Sequence, residues 1–168
     1  MLNSVYNGSV RVPDKIFYFA GAAYPYFCLI GVVDANNDCL YSAGATPAPY
    51  PQYFPYQLIA SPQYLGLSSG GFMAKSISAP TGGGGLATTA FYTSNRDAFV
   101  ITNPTSTAYN QITVTLANPG LAGTQGTLYQ IVNGAQISTT PISFSQSGTN
   151  LTTTISVPAY SVQAISLP

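Results

Sequence analysis

The chain has 168 residues, enough for one domain with a proper core. Only 5% of them are charged, where globular proteins ordinarily carry about 25%. Arg11, Lys15, Lys75 and Arg96 balance Asp14, Asp34, Asp38 and Asp97, while Glu, His and Trp are absent. So little positive charge excludes nucleic-acid binding driven by phosphate neutralisation. It also leaves solubility to Ser, Thr, Asn and Gln, to attached glycans, or to burial of the surface in an assembly.

In chain order, residues 1–66 form a first region. Its opening, "LNSVYNGSVRV", reads as an extended arm, and Asn7 in "NGS" is a glycan-acceptor candidate, as is Asn150 in "NLT" much later. No basic start followed by a short apolar region and a small-residue cleavage site is visible, so no signal peptide is read. "IFYFAGAAYPYFCLIGVV" (16–33) is interrupted by Pro25 and several tyrosines, which predicts buried strand and no membrane span. Cys28 and Cys39 flank "LIGVVDANND" and could close a disulfide in an oxidising compartment. Pairing around the "DANND" turn does not set them directly opposite, and two free, partly buried thiols are the alternative. Without histidine or a second cysteine pair, no metal site is expected, and nothing points to a cofactor. In "TPAPYPQYFPYQLIASPQYLG" the prolines punctuate a short helix. Pro55 fits its first turn, where no backbone donor is needed, and Pro62 limits its length.

Residues 67–168 read as strand and turn throughout. In "ITVTL", Ile112, Val114 and Leu116 share one face; in "LTTTISV", Leu151, Ile155 and Val157 do, with Thr152, Thr154 and Ser156 opposite. Further strands are predicted over 72–78, 87–93, 98–102, 126–132 and 161–167, separated by turns at "SNRD", "TNPTS", "NPGLAG", "VNGAQ" and "SQSGTN". Short strands at this spacing predict a mainly β protein, an antiparallel β-sandwich of Greek-key or immunoglobulin-like kind. "TGGGG" (81–85) lacks the Lys-Ser/Thr pair and helix of a phosphate loop, so it reads as a flexible connection. Lys75 reads as a solvent-facing edge residue that discourages sheet stacking.

The order of these pieces resembles the β-sandwich that follows the catalytic barrel in glycoside hydrolase families such as 30, 39, 51 and 79. The quoted runs that carry the likeness are "AFVITNPTSTAYNQITVTL", "GTLYQIVNG" and the closing "VPAYSVQAISLP". Ahead of them, "DKIFYFAGAAYPYFCLIGVVDANND" is similar to a barrel's last strand, and "YPQYFPYQLIASPQYLG" to its closing helix. The resemblance implies a barrel-remnant segment over 1–66 and a sandwich domain over 67–168. It also implies that Tyr24 and Tyr26 lie near a substrate rim as carbohydrate contacts, since tyrosine offers an apolar face with a polar tip. Packing in a core or subunit interface accounts equally for the 13 tyrosines and 8 phenylalanines.

Those hydrolases use two carboxylates, usually glutamates, as acid/base and nucleophile. This chain has no glutamate. Asp34 and Asp38 read as turn residues, Asp97 as a turn residue after "SN", and Asp14 as the residue between Pro13 and a strand. No family catalytic residue carries over, and a serine nucleophile has no histidine to serve it. Two functions are therefore expected. One is a non-catalytic bracing or carbohydrate-associated module that pairs with a barrel-containing chain and hydrolyses glycosides only if a partner or upstream region supplies the acids. The other is a self-assembling subunit of an extracellular fibre, sheath or coat. Both place the protein outside the cell or on its surface, in an oligomer or a complex.

Overall fold

The computed structural model describes residues 30–33, 39–40, 48–49, 53–66, 72–73, 85–93, 95–117, 119 and 123–168. Near the start, β1 (Ile30–Val33) pairs antiparallel with β2 (Cys39–Leu40) and with β3 (Ala48–Pro49), in the order β2-β1-β3. Helix α1 (Tyr53–Ala60) follows. Pro55 is in its first turn, and Pro62 stands just past its end, as the prolines predicted. The next turn is tied down locally. Leu65 N–H donates to the Leu58 carbonyl at 3.1 Å and Gly66 N–H to the Ser61 carbonyl at 2.9 Å. Gly66 closes that turn at φ 64°, a conformation that disfavours any residue with a Cβ.

The remaining strands are β4 (Phe72–Met73), β5 (Ala87–Thr93), β6 (Arg96–Asn103), β7 (Tyr109–Ala117), β8 (Gln125–Val132), β9 (Ser138–Ser143), β10 (Ser145–Ser147), β11 (Asn150–Val157) and β12 (Ser161–Leu167). They form a six-stranded sheet, β4-β5-β6-β12-β8-β9, and a three-stranded sheet, β10-β11-β7; every pairing is antiparallel. The β6–β7, β7–β8 and β11–β12 connections cross between the sheets, so the architecture is the antiparallel sandwich that the alternating sequence predicted.

The terminal strand occupies the centre. β12 lies between β6 and β8, with Ile165 opposite Phe99 on one side and Leu128 on the other. A strand covered on both faces cannot alternate between apolar and polar residues, which is why "SVQAISL" is uncharged and apolar at irregular intervals. Its two faces meet different layers. Ile165 and Leu167 join Ile101, Ile112, Val114, Leu151, Ile155 and Val157 between the sheets. Ala164 joins Ala98, Val100 and Ile131 beneath Phe54 and Leu58 of α1 and Leu65 beyond it. Helix, six-stranded sheet and three-stranded sheet thus stack as three layers. The alternation in "ITVTL" and "LTTTISV" holds: Ile112, Val114, Leu151, Ile155 and Val157 are buried, while Thr113, Thr115, Thr154 and Ser156 are exposed.

Differences from expectation are local. "SQSGTN" is not a turn throughout: Ser145–Ser147 forms β10, and the chain reverses only at Gly148 and Thr149, with Gly148 at φ 58°. "STTPIS" (β9) was not expected as a strand, because it carries one large apolar residue and a proline. β9 and β10 are separated only by Phe144, which is buried and switches the chain from one sheet to the other. Its ring lies over Gly126, where an added Cβ would stand 3.3 Å from the ring and 2.9 Å from the Ser166 carbonyl. Asp97 is a residue of β6, opposite Tyr92 and Leu167, and not of the preceding turn. Residues 74–78 of the predicted 72–78 strand, and Lys75 with them, lie outside the described residues, as does most of "TGGGG".

Candidate functional site

One end of the sandwich gathers the β6–β7, β8–β9 and β11–β12 connections, and it is built around Asn103. This side chain is almost fully buried, and every polar atom on it is used. Nδ2 donates to the Thr107 carbonyl at 2.8 Å and to the Pro158 carbonyl at 2.7 Å. Oδ1 accepts from Thr105 N–H at 3.1 Å and from Thr105 Oγ1 at 2.8 Å. Ser161 Oγ adds a second donor to the Pro158 carbonyl, at 2.7 Å. A buried amide whose donors and acceptors are all paired fixes the loops that it bridges.

The fixed loops display Tyr160. Its backbone N–H donates to the Thr105 carbonyl at 3.0 Å, and its carbonyl accepts from Asn133 N–H at 2.9 Å. Between these tethers the residue is held at φ 46° with its side chain 53% exposed. A β-carbon at positive φ costs about 1–2 kcal/mol, so the surrounding bonds impose this conformation. Asn133, at φ 50°, is of a residue type that tolerates the same region. The result is an uncharged loop cluster with one exposed aromatic ring.

The helix side carries a second group of aromatic residues, and these are committed to packing. Tyr64 and Tyr129 meet edge to face, with centroids 5.4 Å apart and planes at 87°. Tyr53 and Phe54 do so at 5.8 Å and 74°. Tyr53, Tyr64, Phe91 and Tyr129 all flank the buried cluster under α1. The Arg96 guanidinium donates to the Tyr64 carbonyl, tying the turn after the helix to the start of β6.

Of the residues singled out from sequence, Tyr24, Tyr26, Cys28 and Asn7 lie outside the described residues. Cys39 is on β2, where the residue opposite it is Val33. Asn150 is exposed at the start of β11, directly after the Gly148–Thr149 turn. Among the described residues, Asp97 is the sole carboxylate side chain, and no group of three His, Cys, Asp or Glu residues could hold a metal ion. No helix among them is long and apolar enough to cross a membrane. Sequence reasoning passed over Asn103 and Tyr160. "TNP" carries a readable signal, an asparagine that bonds to backbone two residues on, but nothing in "PAYS" announces a tyrosine at positive φ.

No family model matches the chain, and no curated protein matches it by sequence. Among solved structures it is similar to a family 30 glycoside hydrolase, an endoxylanase from Clostridium papyrosolvens C71, at a TM-score of 0.51 and 12% identity, over 70% of this chain. It also aligns with Xyn30A, a family 30 subfamily 8 xylanase from Clostridium acetobutylicum, at 0.48 and 14%, over 80% of this chain. The chain spans 28% of the first enzyme's length and 32% of the second's. In fold, therefore, the chain resembles the C-terminal part of barrel-type glycoside hydrolases such as those of family 30, as the runs "GTLYQIVNG" and "VPAYSVQAISLP" indicated.

Proposed function

We propose that this chain is a non-catalytic β-sandwich module related to the C-terminal part of a glycoside hydrolase, acting to brace a barrel or to associate with carbohydrate. One observation carries the reading: a sandwich with the fold of part of a family 30 endoxylanase, in a chain that contains no glutamate and no histidine. Glycoside hydrolysis needs two carboxylates held about 5–10 Å apart across the scissile bond. In this proposal a barrel-containing partner chain supplies them. Tyr24 and Tyr26 are sugar contacts at the junction with that barrel, and the protein works outside the cell or at its surface. Native mass spectrometry of the particle isolated from its source tests the reading. A stable complex with a glutamate-rich, barrel-containing chain is expected; isolation of this chain with itself alone would count against the bracing role.

A second reading has its own support. From Ala98 to Pro168 the chain carries no charged residue at all, a composition suited to surfaces buried between copies. In this reading the protein is a structural subunit of an extracellular fibre, sheath or coat. Negative-stain microscopy separates the two, since filaments or closed shells belong only to the second.

A further inference from the structure

The sheets end in strands of very different character. β10 is three residues long, too short to template another chain, and of β4 only Phe72 and Met73 are described. β9 is longer but carries Pro141 in its exposed interior, which removes a backbone donor. Short strands and prolines are the usual means of blunting an edge. β7 has neither. It runs nine residues, contains no proline and no charge, and among the described residues pairs only with β11. Its one irregularity is near its start, where Gln111 sits at φ 57° and the register with β11 shifts between Ile155 and Val157. From Ile112 to Ala117 the pairing with β11 is regular.

We propose that β7 is the pairing edge for a second copy of this chain. Two β7 strands meet antiparallel about a two-fold axis with Val114 opposite its own copy. This register pairs Ile112 to Leu116 of each copy, within the regular stretch, and is self-complementary, as an isologous contact must be. Ile112 then faces Leu116 of the other copy, so the inward apolar row continues across the junction. Thr113 faces Thr115 on the solvent side, a favourable cross-strand pair. A shift by one residue would set apolar against threonine positions and lose both matches. No residue from Ala98 onward is charged, so β7 and the strands that follow it set no charge against the approaching copy. The assembly is a closed dimer, and it stands or falls independently of the glycosidase-module reading. A single strand pair is a small interface, so the dimer dissociates on dilution.

Sedimentation equilibrium on the full chain, over a wide concentration series, tests this with two variants. Thr113 and Thr115 are both exposed, so substitution there leaves the core intact. Thr113→Lys/Thr115→Lys sets like charges opposite each other at both crossings and is expected to weaken dimerisation at least about tenfold. Thr113→Lys/Thr115→Glu sets opposite charges there and is expected to restore it to near the parent's strength. A parent chain that stays monomeric throughout overturns the proposal. So does assembly indifferent to both variants, or assembly abolished equally by both.

Discussion

The two faces of the six-stranded sheet are covered by different means. Toward the three-stranded sheet, the face presents large aliphatic side chains, Ile101, Ile165 and Leu167, which interdigitate with a matching set from β7 and β11. Toward α1 it presents Ala98 and Ala164, small enough for a helix to approach, with Tyr53, Tyr64, Phe91 and Tyr129 filling in around Leu58. The sandwich face buries threonine and glutamine as well. Thr88, Ile101, Gln163 and Gln130 lie side by side across four strands. Gln163 Nε2 reaches the Ser156 carbonyl of the opposing sheet at 2.9 Å, whereas Gln163 Oε1 and Thr88 Oγ1 are buried without a hydrogen-bond partner among the described residues. Part of the tyrosine content of this chain is therefore packing material under a helix, while the sandwich interior accommodates polar side chains that are only partly paired.

Truncation on each face gives the largest expected effect and tests whether the layers unfold together. Ile165 and Leu58 are both fully buried, on opposite faces of the sheet. Ile165→Ala and Leu58→Ala are each expected to cost about 2–5 kcal/mol in urea unfolding. If the three layers form one cooperative unit, both shift a single transition. A separate early transition confined to Leu58→Ala would divide the helix from the sandwich.

Asn103→Ala breaks the hub at the end of the sandwich face, removing one donor each from the Pro158 and Thr107 carbonyls and the acceptor of Thr105 N–H, at a cost of roughly 2–3 kcal/mol. Amide exchange should quicken at Thr105 and Tyr160 before it does in β12, and unchanged exchange there would contradict the assigned role. Gly126→Ala presses a methyl group against the Phe144 ring and the Ser166 carbonyl, costing about 1–3 kcal/mol; no loss of stability would mean that the β9–β10 corner packs otherwise. The smallest effect has the opposite sign. Thr88→Val removes an unpartnered buried hydroxyl and is expected to stabilise the protein by roughly 1 kcal/mol, as read by its urea midpoint. A destabilised variant would show that the hydroxyl has a partner.

The sandwich was legible because half-buried antiparallel strands must alternate, and "ITVTL" and "LTTTISV" do so, with Thr153 the one polar residue on the apolar row. The helix was legible from proline placement alone. β9 was not, because "STTPIS" lies at an edge, exposed along nearly all its length, where burial does not constrain composition. Asp97 was misplaced because the strand begins with the charged pair Arg96-Asp97, which reads as the tail of the preceding turn. Tyr160 could not be found by pattern at all. Its conformation is imposed by Thr105 and Asn133, residues brought to it only by the fold.

The proposal of a bracing module rests on the expectation that the four aspartates of this glutamate-free chain form no catalytic pair. Assay of reducing-sugar release from xylan and from aryl glycosides by the purified chain, to high enzyme concentration, tests that directly. The expected result is no release above that of the buffer. Sustained turnover by the chain alone, surviving repurification, would contradict it, because the chemistry would then have to come from a polypeptide with no glutamate and no histidine.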